Sequence, residues 1–277
     1  MQIAHVRRMI ARLFSLILAT MVLLPLSVRA GSMDPNFEAR IIPGWRLADG
    51  THVAALQITM KEGWKTYWRA PGDVGLPPRF DWRESSNLSE VEINWPAPRP
   101  LMQGGILTIG YEGGMILPLT VRPERADQDI TLSGVLDFGI CKDVCIPIRV
   151  DVNGELRREV TKPDTKIAAA LAARPFSAQE AGVARVTCRI SPASESQSLR
   201  ADVMMPSAGG REIAIFETDD PQIWVAPSNT RREGGLLIVE TEVIHVEGRA
   251  FSLNRAGLRI TVLGESHAVD IQGCPAG

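Results

Sequence analysis

The sequence predicts an all-β protein of two sandwich-like domains joined by a short helical linker. Three observations predict it. Strand-like runs rich in β-branched residues, separated by Gly- and Pro-containing turns, fill the chain on both sides of its middle. A single helix signal interrupts them at residues 162–175. About 247 residues remain once a leader is set aside, enough for two domains of ordinary size.

The leader comes first. Arg7, Arg8 and Arg12 precede an apolar run, Leu13–Val28, and "VRA" ends in the small residue that a signal peptidase accepts, so residues 1–30 read as a secretory signal cleaved after Ala30. The run is short for a membrane span and Pro25 interrupts it. No later stretch approaches the roughly 18 apolar residues of a transmembrane helix. Cleavage removes four arginines and no acids, taking the net charge from −2 to −6. A mildly acidic chain without a basic block does not suggest nucleic acid. The expected home is the periplasm, where disulfides persist. All four cysteines, Cys141, Cys145, Cys188 and Cys274, lie in the exported part.

Residues 31–160 form the first expected sandwich, with strand-like runs at 52–60, 114–121, 128–140 and 146–152, and an Asn-Gly turn signal at Asn153–Gly154. Residues 161–182 form the linker, with Asp164 as N-cap, a run of alanines and Pro175 as the stop. Residues 183–277 form the second sandwich, with runs at 183–190, 198–205, 212–218, 236–243 and 257–264.

Five of the six tryptophans fall within residues 45–95, and "GWKTYWRAPGDVGLPPRFDW" (63–82) concentrates them. Their plain reading is core packing. The Pro- and Gly-rich "APGDVGLPP" is neither strand nor helix; it reads as a fixed surface loop of the kind that carries recognition, with Arg69 and Asp73 as polar contacts.

Cys141 and Cys145 flank "KDV". If the flanking segments are antiparallel strands, the two residues oppose one another at a separation that a disulfide spans. So small a ring removes little entropy from the unfolded chain, which makes it a weak staple and a better exchanging bond. A permanent disulfide and a metal clip remain alternatives. Zinc prefers four ligands, and His52, His245 and His267 are all remote in sequence; two thiolates suit Cu(I), without a Met-rich motif to assist. Lys142 favours a thiolate and Asp143 opposes it. Cys188 and Cys274, on the first strand of the second domain and after its last, are candidates for a structural disulfide; free thiols are the alternative. No nucleophile elbow, zinc-protease helix or phosphate loop is present.

"GWKTYWRAPGDVGLPPRFDW", "WPAP" (95–98), "IGYEGGMILPL" (109–119) and "DFGICKDVCIPIRV" (137–150), in that order, resemble the N-terminal periplasmic region of DsbD/ScsB-type protein-disulfide reductases. The resemblance covers roughly residues 38–155, and the second half resembles the β-rich continuation of the ScsB-like branch. It implies immunoglobulin-like sandwiches and a redox pair at Cys141 and Cys145, with Cys145 joining the partner and Cys141 resolving. It further implies a mobile aromatic cap, for which Tyr111 is the candidate with Glu112 beside it, and a docking surface that includes Trp68 and Asp73. No cofactor is implied. The chain ends at Gly277 with neither a multi-span nor a thioredoxin-like region, so the implied partners are a separate membrane electron donor of the DsbD/CcdA type and periplasmic client proteins. The alternatives are a non-catalytic binding module with a permanent disulfide and a Cu(I)-handling protein.

Overall fold

The computed structural model describes residues 36–193 and 196–277; the expected leader lies outside them. Among the described residues, the first half folds into ten strands: β1 (Phe37–Arg46), β2 (His52–Met60), β3 (Lys65–Tyr67), β4 (Arg79–Asp81), β5 (Glu90–Ile93), β6 (Arg99–Gln103), β7 (Ile106–Glu112), β8 (Gly114–Arg122), β9 (Ile130–Cys141) and β10 (Cys145–Leu156). They form two sheets, β1-β2-β8-β5 and β10-β9-β3-β7-β6, with β4 also paired to β9. Alternation explains the layering. Along β9 the even-numbered side chains Ile130, Leu132, Leu136, Phe138 and Ile140 are buried in the core between the sheets.

β2 is buried on both faces because a helix covers its outer one. That helix, α1 (Thr165–Ala172), begins where the Asp164 carboxylate accepts hydrogen bonds from the backbone N–H groups of Lys166 and Ile167, at 2.8 and 3.1 Å. Its fully buried Ile167 packs with Trp45, Val53 and Ala55. The helix is therefore a docked element of the first sandwich. A bulge between Ile42 and Trp45 re-aims the end of β1. Gly44 makes the bulge possible: its φ is 67°, and a Cβ there would run into the Val53 carbonyl.

The Asn-Gly signal at Asn153–Gly154 does not make a turn. Both residues lie inside β10, opposite Ser133 and Leu132. The Ile41 side chain occupies the space that a Cβ on Gly154 would need, so this glycine serves close packing.

The second half supplies β11 (Phe176–Ser177), β12 (Arg185–Pro192), β13 (Gln197–Met204), β14 (Ile213–Glu217), β15 (Ile223–Val225), β16 (Asn229–Glu233), β17 (Leu236–His245), β18 (Arg259–Leu263) and β19 (Ala268–Gln272). Its sheets are β11-β19-β18-β14 and β12-β13-β17-β15, with β16 also paired to β17. A second core lies between them, built from residues such as Leu199, Val203, Phe216, Val239, Ile260 and Ile271. Cys188 and Cys274 are both buried and bonded, with Cα atoms 5.4 Å apart. The bond ties the chain end to β12, where Ala276 also bridges Cys188.

The two sandwiches share apolar packing. Leu263 and Ala268 of the second are buried in the core cluster of the first, and Ile215 packs against it. Beside them the Arg69 guanidinium donates to both Glu217 carboxylate oxygens, at 2.8 and 2.9 Å. Among the described residues, no helix is long and apolar enough to cross a membrane.

Candidate functional site

β9 and β10 form one long hairpin whose tip is Lys142-Asp143-Val144. Its register pairs Cys145 with Cys141, with Cα atoms 4.1 Å apart, and the sulfurs are bonded. The two sulfurs are not equivalent: Cys141 is wholly buried, whereas Cys145 is exposed on the edge strand. A thiolate arriving from solvent therefore meets Cys145 first.

The neighbours follow from strand register, since opposed residues on adjacent strands face the same side. Lys65 pairs with both Cys141 and Glu112, which puts these three on the outer face of the sheet. Tyr67, two residues on, shares that face. Its hydroxyl lies 3.0 Å from Cys141 Sγ and 3.1 Å from Cys145 Sγ. The ring lies against Gly139, where a Cβ would stand 3.3 Å from both Tyr67 Cε2 and Leu76 Cδ1. Thr66, pointing the other way, donates from Oγ1 to the Gly139 carbonyl at 2.8 Å and pins β3 to β9. Burial pushes the Tyr67 phenol above its ordinary pKa, so it remains a proton donor at neutral pH.

The second group on the disulfide comes from the hairpin joining β6 and β7. Gln103 donates from Nε2 to Cys145 Sγ at 2.9 Å, and its Oε1 is 3.3 Å from the Tyr67 hydroxyl. Gly104 and Gly105, with φ of 56° and 83°, make the tight turn that follows it. Lys65 Nζ donates to the Met102 carbonyl at 3.0 Å and ties this hairpin to β3. Exposed apolar side chains surround the constellation: Val144 in the cysteine turn, Met102 next to Gln103, and Leu76 beside Tyr67.

Two expected site residues lie elsewhere. Tyr111 is not over the disulfide. Thr66 pairs with both Tyr111 and Ile140, so all three face the core, and Tyr111 is buried there with its hydroxyl donating to the Pro96 carbonyl at 2.8 Å. Burial raises its pKa strongly. The groups against the sulfurs are Tyr67 and Gln103. Trp68 is likewise fully buried in the core and offers no docking surface. Glu112 and Asp73 are exposed, Glu112 on the face of the cysteines and Asp73 in the loop after β3.

Sequence reasoning missed Tyr67 and Gln103. Tyr67 was hidden by the ordinary look of "KTY", and Gln103 lies 42 residues from the sulfur it touches. The Gly-Gly after Gln103 signals a turn but not its destination. Among the described residues, no cluster of three or more His, Cys, Asp or Glu side chains is arranged for a metal ion.

Residues 37–155 match the family described as thiol:disulfide interchange protein DsbD, N-terminal. Among solved structures, the N-terminal periplasmic domain of ScsB from Proteus mirabilis is similar, with a TM-score of 0.63 and 20% identity, covering 87% of this chain and 92% of that one. At that identity the likeness is one of fold, all-β and immunoglobulin-like. A protein of unknown function from Porphyromonas gingivalis W83 shares 12% identity and a TM-score of only 0.19, over 86% of this chain and 99% of that one. No curated protein matches the sequence.

Proposed function

Starting from a DsbD N-terminal-type domain at residues 37–155, we propose that the chain is a periplasmic thiol–disulfide interchange protein, exported by its leader, that passes electrons from a membrane donor of the DsbD/CcdA type to periplasmic clients through Cys141 and Cys145. The observation that carries this reading is the pairing of an exposed sulfur with a buried one beneath the Tyr67 hydroxyl.

In the receiving half-reaction a donor thiolate attacks Cys145 Sγ. The Cys141–Cys145 bond breaks, its electron pair leaves on Cys141, and a donor–Cys145 mixed disulfide forms. Tyr67 is placed to donate a hydrogen bond to the departing Cys141 thiolate. The donor's second thiolate then attacks its own sulfur in the mixed disulfide, and Cys145 leaves reduced. In the giving half-reaction the Cys145 thiolate attacks a client disulfide, and Cys141 resolves the mixed disulfide. The client leaves as a dithiol and the Cys141–Cys145 bond re-forms. Glu112, exposed on the face of the cysteines, and Asp73, exposed in the loop after β3, are the polar contacts offered to a docked partner.

Selective reduction tests the reading. Under native conditions a small dithiol is expected to open Cys141–Cys145 while Cys188–Cys274, buried at both ends, stays closed; alkylation and mass spectrometry report which thiols appear. Equal resistance of the two bonds would count against exchange.

A further inference from the structure

Tyr67, which touches both sulfurs, is followed directly by two residues that face away from the site. Trp68 is wholly buried in the first core, and its backbone N–H donates to the Ile109 carbonyl at 3.0 Å. Arg69 folds back so that its guanidinium carbon sits 4.1 Å above the Trp68 ring, while its nitrogens make a two-pronged pair with Glu217 of β14. Its Nη2 also lies 3.5 Å from Thr261 Oγ1 on β18. The pair is largely shielded, with side-chain exposures of 15% and 18%, and it spans 148 residues of sequence.

A bidentate, shielded pair fixes orientation as well as distance, and a guanidinium stacked on an aromatic ring loses further freedom. Two residues before Arg69 stands Tyr67, the last residue of β3, which is paired to β7 along its length but to β9 only at Lys65 and Thr66, so Tyr67 has a strand partner on one side alone. We propose that the second sandwich positions the redox site: Glu217 clamps Arg69, the clamp fixes Trp68 and the end of β3, and this holds the Tyr67 hydroxyl at the sulfurs. Arg69 and Glu217 are positioning residues, for neither touches a cysteine. The inference rests on the exchange role proposed for Cys141–Cys145, and it gives the second half of the chain a part in that chemistry. Held in place, Tyr67 donates to the Cys141 thiolate of the reduced form. Released, it leaves that thiolate without its donor and favours the disulfide.

The test is a double-mutant cycle read as an equilibrium. The whole exported chain, Glu217→Gln, Tyr67→Phe and the double variant are each equilibrated with glutathione buffers, and the Cys141–Cys145 redox state is counted after alkylation. Tyr67→Phe is expected to shift the equilibrium toward the disulfide by about threefold to tenfold, the worth of one hydrogen bond, or roughly 14 to 30 mV. Glu217→Gln is expected to shift it in the same direction by at least about twofold and by no more than Tyr67→Phe does, since it acts through that one hydrogen bond. The double variant should match Tyr67→Phe alone, and the swap Arg69→Glu with Glu217→Arg should return the equilibrium toward that of the parent. Should Glu217→Gln fail to fold, Arg69→Lys, which keeps the charge and loses the fork, is read by the same criterion. Additive shifts would overturn the clamp, as would a Glu217→Gln variant that melts earlier at an unchanged equilibrium. A parent chain whose bond no glutathione ratio opens removes the exchange reading itself, and the clamp with it.

Discussion

Cys145→Ser is expected to abolish thiol–disulfide exchange, whereas Cys141→Ser is expected to halt it halfway and trap the partner. The asymmetry follows from burial. With Cys141 replaced, Cys145 remains an exposed thiol on an edge strand at the hairpin end. It attacks a disulfide and forms a mixed disulfide that no neighbouring thiolate resolves, so the adduct persists until an external reductant is added. With Cys145 replaced, the remaining thiol is wholly buried among strands β3, β9 and β10, and a buried thiol is slow to react. Non-reducing electrophoresis after incubation with oxidised glutathione or a disulfide-bonded client reports both outcomes. Equal adduct formation by the two variants would show that Cys145 is not the point of entry.

Removing the other bond is expected to cost stability. Cys188 and Cys274 are 86 residues apart in sequence, so the bond closes nearly all of the second sandwich into one loop. Loop-closure entropy gives such a ring about 4–5 kcal/mol, against about 2 kcal/mol for a ring as small as that of Cys141–Cys145. The Cys188→Ala, Cys274→Ala double variant should therefore lower the urea unfolding midpoint far more than the Cys141→Ser, Cys145→Ser double variant does. The result bears on function, since a bond that stabilises strongly and is buried at both ends is poorly suited to cycling. If both double variants lost the same amount, the division of labour between the two bonds would fail.

Local signals were legible and long-range ones were not. The cysteine hairpin could be read because both of its strands and its turn lie within one short stretch, and the Asp164 cap because a helix start is local. The Asn153–Gly154 turn signal failed for a tertiary reason: Ile41, more than a hundred residues earlier, fills the space above Gly154. Placing Tyr111 over the sulfurs failed on alternation. Tyr111 pairs with Thr66 and Tyr67 with Gly110, so which tyrosine faces the cysteines turns on a register that a three-residue strand does not announce. Gln103 and the Arg69–Glu217 pair join segments 42 and 148 residues apart, and neither leaves a trace in local composition.

The most direct measurement is the reduction potential of the Cys141–Cys145 pair, obtained by equilibration with glutathione and counting of alkylated thiols. An exchanging pair is expected at about −180 to −270 mV, where several known dithiol exchangers lie. A pair still oxidised below about −300 mV would be a structural bond, and the account of this chain as a thiol–disulfide interchange protein would be contradicted.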